Sequence, residues 1–203
     1  MPGLTVWRPV EPVADDSDRF LRALKLQVRA ADDKAVIDID RLSLHVGRAG
    51  YPGYPVRNWV DGDLTIVFEG HVYGLDDASL RDRMQALATK ALKAATPAPS
   101  VAEFVGETDG EFVAVIASTR GDRCLLFTDA LGRLPLYVNQ GPSGVVVSRE
   151  TKCIADVVGG WAFAPIGLAQ TLWLGYPLGE RTLFEDIVRA PGFGISASWF
   201  VPC

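Results

Sequence analysis

The stretch LLFTDALGRLPLYV, Leu125 to Val138, decides how this chain is read. Its first residues are apolar and β-prone. Asp129, Gly132 and Pro135 then follow at three-residue intervals, before a second apolar run through Leu136, Tyr137 and Val138. A plain hairpin uses about two turn residues, typically Asn-Gly or Asp-Gly. This connection is longer and more specified, and its three marked residues need a reason.

The surrounding chain sets the bounds. Its 203 residues suit one domain with at most a short extension. A hydrophobic fraction of 48% and a charged fraction of 22% are those of a globular protein able to bury a substantial core. The net charge of -5 argues against nucleic acid, whose binders carry a basic face. Cys124, Cys153 and Cys203 are far apart and odd in number, which points to reduced thiols and a cytoplasmic setting. The first twenty residues have no basic segment leading into an apolar core, so no signal peptide is expected. No apolar run is long enough to span a bilayer, and no membrane partner is expected.

Along the chain, Leu4 to Trp7 reads as a strand, and Arg19 to Ala30 as a helix or a strand that periodicity does not separate. Lys34 to Val46 fits one or two half-buried strands. Gly47 to Asp63, with four glycines and two prolines, reads as an irregular insert. Leu64 to Gly74 is a β-branched and aromatic strand. The strongest helix follows, capped by Asp77, with Leu80, Met84, Leu87, Ala91 and Leu92 on one face. A shorter helix over Ser100 to Gly110 precedes three strands, then a strand running into a helix around Gly144 to Gly160, then a tail of helix and turns. Runs of strands with helices between blocks of them argue α+β with a largely antiparallel sheet.

Several stretches together resemble the glutaminase domain of asparagine synthetase-like enzymes, a class II glutamine amidotransferase. TDALGRLPLYV resembles that family's D-x-x-G-x-x-P-L-Y signature, and RLSL (Arg41 to Leu44) its R-L-S-[IL] segment. LTIVFEGHVYG resembles the strand that ends N-G-E-[IV]-Y-N. TDGEFVAVI, VVVSRETKCIADV and LGYPLGERTLFEDIVRAPGF match further segments in the family's order, so the likeness runs from about Arg41 to Phe193. It implies an α+β fold: a four-layer αββα sandwich of two antiparallel sheets, the N-terminal-nucleophile hydrolase architecture. In that frame residues 1–193 form the glutaminase-like domain and 194–203 a C-terminal tail. Asp129, Gly132 and Pro135 then shape a turn between adjacent strands of one sheet, and are architectural.

The resemblance also says what glutaminase chemistry requires. The family's nucleophile is an N-terminal Cys whose own amino group serves as base. Here Gly3 and Leu4 keep the pattern but Pro2 stands at the Cys position. The family's Asn-Gly supplies a side-chain donor and a backbone N–H to the oxyanion. Here the pair is Glu69-Gly70, with an acceptor facing developing negative charge, and Gly74 replaces a further Asn. Arg41 and Asp109 persist, matching the residues that hold the glutamine α-carboxylate and α-amino group. The expected degenerate ligand pocket is therefore Arg41, Glu69, Gly70 and Asp109, with no catalytic residue. His45 and His71 lack a third ligand at metal-site spacing, so no metal is expected, and no cofactor is implied. Cys124 and Cys153 read as small buried hydrophobes. The tyrosines of the 50–55 loop read as packing groups.

Relatives that lost the Cys, such as β-lactam synthetases and lasso-peptide cyclases, keep this domain as a structural partner of an ATP-dependent synthetase domain. The family's Ser-Gly-Gly-x-Asp-Ser pyrophosphate loop does not occur here. The resemblance thus implies a catalytically inactive glutaminase-like module, partnering an ATP-dependent synthetase domain or protein. Two alternatives stand beside it: a sensor binding an amino acid or peptide in the retained pocket, and a self-processed hydrolase using Thr5.

Overall fold

A computed structural model describes residues 2–27, 33–39, 42–120 and 123–191. The chain divides into two compact units. One is discontinuous, built from the residues up to Tyr54 and from Pro135 to Pro191. The other is the stretch Pro55 to Leu134 between them.

The first unit contains β1 (Gly3–Arg8), α1 (Asp16–Leu24), β2 (Asp33–Ile39) and β3 (Leu44–Gly50). After the second unit it resumes with β8 (Tyr137–Gly141), β9 (Gly144–Ser148), α4 (Thr151–Val158), α5 (Pro165–Leu174) and β10 (Ile187–Arg189). Its six strands form an antiparallel sheet in the order β10-β8-β9-β1-β3-β2. Alternation along each strand sends Trp7 and Val146 to one face, where Phe20, Ala23 and Leu24 of α1 and Cys153, Ile154 and Val157 of α4 cover them. The opposite face is apolar too, with Leu4, Val6, Leu44, Val46 and Val147 buried.

The second unit contains β4 (Val56–Asp61), β5 (Leu64–Val72), α2 (Asp77–Lys93), α3 (Ala98–Gly106), β6 (Gly110–Ser118) and β7 (Arg123–Thr128). Its strands run β4-β5-β6-β7, all antiparallel. Ile66, Phe68, Phe112, Ala114, Leu125 and Phe127 face the two helices, and Phe112 stacks on Phe68 at 5.2 Å between ring centroids. The other face again carries buried side chains, among them Val67, Glu69, Val113, Val115 and Leu126. Among the described residues the fold is α+β, with two antiparallel sheets and five helices. No helix among the described residues is long and apolar enough to cross a membrane.

Three local expectations change. The segment read as irregular, Gly47 to Asp63, holds the end of β3 and all of β4, which pairs with β5 around the two-residue turn Gly62-Asp63. Apart from Gly47, which pairs within β3, the glycines and prolines sit at or beyond the ends of these strands, where they interrupt no ladder. The cap of α2 is Asp76, whose carboxylate accepts from the Ser79 N–H at 2.8 Å; Asp77 is the first helical residue. The larger correction concerns the opening stretch. β7 lies at the edge of the four-stranded sheet, whereas β8 lies in the six-stranded one. The connection through Asp129, Gly132 and Pro135 does not join neighbouring strands; it carries the chain from one sheet to the other.

Its chemistry suits that task. With no ladder partner across the turn, the backbone N–H groups need another acceptor. The buried Asp129 carboxylate supplies it, accepting from the N–H of Leu131 at 2.9 Å, of Arg133 at 3.2 Å and of Phe112 at 3.3 Å. Gly132 has φ +58° and donates its own N–H to the Asp129 carbonyl.

Candidate functional site

In the second unit the expected oxyanion pair sits near the end of β5. Glu69 is fully buried on this strand, between Val56 of β4 and Val113 of β6. Gly70 has φ +108°, and a Cβ there would lie 2.0 Å from the Glu111 carbonyl oxygen, so the backbones of β5 and β6 admit glycine alone. Both polar groups of Gly70 are engaged. Its N–H donates to the Pro55 carbonyl at 2.8 Å, and its carbonyl accepts from Arg57 Nη1 at 2.9 Å. Arg57 is held in turn by Asp77, with Nε and Nη2 each 2.8 Å from Oδ1.

Asp109 lies just before β6, beyond the rung that pairs Val72 with Gly110, at the same end of the ladder. Its backbone carbonyl accepts from the Tyr73 N–H at 2.9 Å. Its carboxylate is 79% exposed and lies 3.7 Å from Arg133 Nη1, which also donates to the Gly110 carbonyl at 3.2 Å. Arg133 is fixed at its backbone by Asp129, so the turn that carries the chain between sheets also presents a cation to Asp109. The sequence reading singled out neither Arg57 nor Arg133. Arg133 stands at an unspecified position of the D-x-x-G-x-x-P signature, between Gly132 and Leu134, so the signature gives no signal for it. Arg57 lay within the segment read as irregular.

In the first unit, Pro2 precedes β1 and its carbonyl accepts from the Tyr54 hydroxyl at 3.4 Å. Tyr54 packs under Gly50, while Tyr51 remains half exposed. Thr5 is fully buried in β1, with ladder partners on both sides, Gly47 and Ser148. Its hydroxyl is 2.7 Å from Ser148 Oγ, accepts from Gln27 Nε2 at 2.7 Å, and lies 3.7 Å from Cys153 Sγ. Burial pushes the Cys153 thiol up to about 11, and its contacts with Thr5 and Ser148 only partly offset this. The group is a protonated core thiol, not a nucleophile. Cys124 is buried as well. His45 is nearly buried between Trp7 and Phe20, its Nδ1 2.6 Å from Asp38 Oδ1, while His71 is exposed. Among the described residues no group of His, Cys, Asp or Glu could hold a metal ion.

Arg41, Cys203 and the 194–203 tail lie outside the described residues. Of the expected pocket residues, Glu69 and Gly70 lie three and two rungs inside the Val72–Gly110 pair and Asp109 just beyond it; Glu69 is buried and the Asp109 carboxylate exposed.

No curated protein sequence matches the chain. Among solved structures, glutamine phosphoribosylpyrophosphate amidotransferase from B. subtilis, complexed with ADP and GMP, is similar with 14% identity and a TM-score of 0.49. The allosteric regulatory enzyme of purine biosynthesis is similar with 13% identity and a TM-score of 0.48. Each match covers 77% of this chain and 43% of the other, so the chain spans less than half the length of either enzyme. A family model, that of the glutamine amidotransferase domain, matches residues 52–156, just over half of the sequence and including β5, β6 and the Asp129 turn. The chain belongs to the glutamine amidotransferase domain family.

Proposed function

We propose that the chain is a glutamine amidotransferase-like module that does not hydrolyse glutamine and serves as a structural or interaction partner of an ATP-dependent, asparagine synthetase-like amide-forming enzyme. The observation that carries the reading is the Gly70 amide. The N–H that the family resemblance assigns to the oxyanion is already bonded to the Pro55 carbonyl, beside a buried carboxylate at Glu69. A tetrahedral intermediate needs donors left open for it. Pro2 at the position of the nucleophile supports the same conclusion, since proline carries no thiol. The free thiol of Cys153 supports a cytoplasmic setting.

A second reading has its own observation. Asp109 is exposed and oriented by Arg133, an arrangement able to meet the amino group of an amino acid or peptide without cleaving it. The self-processed reading fares worse. Exposing Thr5 as an N-terminus means cutting β1 within its ladder and opening the Thr5, Ser148 and Gln27 network.

Calorimetric titration with glutamine, run beside an ammonia-release assay, tests all three. The module reading expects neither heat nor ammonia. Heat without ammonia selects the sensor, and ammonia release overturns the claim of inactivity.

A further inference from the structure

Helix α5 inverts the usual arrangement of a surface helix. Ile166, Ala169, Leu172, Trp173 and Tyr176 recur at intervals of three and four along and just past the helix, and so share one side. That side points outward: Ile166 is 60% exposed, Leu172 79%, Trp173 88% and Tyr176 61%. The opposite side holds the buried Gly167 and partly buried polar groups. There Thr171 Oγ1 donates to the Gly167 carbonyl at 2.8 Å and Gln170 Oε1 accepts from the Leu178 N–H at 3.0 Å. A surface helix normally turns its apolar stripe to the core and its polar side to water. Ten residues are also far short of the ~20 needed to cross a bilayer. Immediately before the helix, Trp161 and Phe163 pack edge to face at 4.8 Å and against Phe184, and are themselves half exposed.

We propose that this face is a self-association surface, on which a second copy of the chain docks by two-fold pairing of α5 with its symmetry mate. Two observations select this occupant. In a two-fold contact each patch meets its own copy, so the patch must not repel itself. The sequence carries no charged residue between Asp156 and Glu180, whereas the chain as a whole has a net charge of -5. The neutral face is thus a surface through which two like-charged copies can approach. The area is also adequate. Ile166, Leu172, Trp173 and Tyr176 leave roughly 600 Å² open, at the lower end of the ~600–1,000 Å² per partner that a specific interface takes. Trp173, protruding at the middle of the stripe, is the expected anchor, since tryptophan is enriched among residues that dominate association.

Sedimentation velocity and light scattering across the micromolar range test the proposal. The expected result is a reversible monomer–dimer equilibrium whose larger species has twice the 21.9 kDa chain mass. A Leu172→Glu/Trp173→Glu variant is expected to dimerise at least about 100-fold more weakly, with unchanged circular dichroism. Val10→Glu alters a comparably exposed apolar side chain (66%) in the connection between β1 and α1 and is expected to leave the dimer intact. A wild-type chain that stays monomeric, one that forms open-ended polymers, or a double variant that dimerises as well as wild type overturns the proposal. Should the double variant fail to fold, Trp173→Ala takes its place, and the wild-type mass is decisive by itself.

Discussion

The amide of Gly70 donates to the carbonyl of Pro55 at 2.8 Å, continuing the β4–β5 ladder one rung past the pair Val56–Glu69. A backbone donor committed to its neighbouring strand is held by the sheet itself, and no side-chain substitution beside it sets it free. Glu69→Asn alone is therefore expected to leave ammonia release from glutamine at background, even though it restores the family's residue. A coupled ammonia assay on the purified variant checks this; release above background shows that the amide is available after all.

Gly70 also predicts a stability effect. At φ +108°, with the Glu111 carbonyl 2.0 Å from a built Cβ, Gly70→Ala forces β5 and β6 apart. The expected loss is at least about 3 kcal/mol, read as a lower urea midpoint. Gly74→Ala is the matched control, because its φ is also positive, +74°, but nothing lies within 4 Å of a Cβ. Equal losses at the two sites would assign the cost to backbone conformation rather than close approach.

Asp129→Ala removes a buried acceptor for three backbone N–H groups, those of Leu131 and Arg133 in the exposed turn and that of Phe112 on β6. About 1–3 kcal/mol of stability is expected to go with it, since the buried Phe112 donor left without this partner carries its desolvation cost while the turn donors can turn to water. Asp129→Asn keeps one acceptor oxygen and should lose less. Denaturant unfolding of both variants decides the order; an Asn variant as unstable as the Ala variant points to the charge as the essential feature.

Cys153 gives a pH prediction with a definite sign. Its thiol titrates near 11 in the folded chain against an ordinary value near 9. The folded state holds the proton more tightly, so this contribution is complete below about pH 9 and is lost as pH rises through 11. The size is of order 2–3 kcal/mol. Cys153→Ser or Cys153→Ala is expected to flatten the alkaline fall in unfolding free energy between pH 9 and 11. Iodoacetamide followed by peptide mapping should leave Cys153 unmodified at pH 8.5 in the folded chain and label it in denaturant.

Legibility in the sequence followed the length and regularity of each signal. α2 was readable because seventeen residues repeat one apolar face, and β5 and β6 because nine-residue runs of β-branched and aromatic side chains leave no competing period. Arg19 to Ala30 is ambiguous because the helix-start signal of α1, Asp16 and Asp18 in its first turn, lies before that stretch. β4 was missed because glycines and prolines at its margins outweighed six strand residues, although Gly62-Asp63 is itself a hairpin signal. The Asp129 turn was recognised by its residues yet assigned to one sheet, because a turn motif states local geometry and not which ladder each flank joins. Glu69, Gly70 and Asp109 are read from motif positions. Arg57 and Arg133 were not, since their significance lies in contacts with Gly70, Asp77 and Asp109 that spacing does not encode.

The division of the chain also sets an order of events during synthesis. Thr5 of β1 meets Ser148 of β9 across 143 residues of sequence, and the entire second unit, Pro55 to Leu134, is made between them. As the polypeptide leaves the ribosome, β4 to β7 with α2 and α3 have all their partners and can complete a sheet at once. β1 and β3 must wait, their central ladder half built, until β9 emerges. The inserted unit is therefore the first part of the nascent chain able to withstand a protease, and the N-terminal strands are the last part of the early chain to be secured.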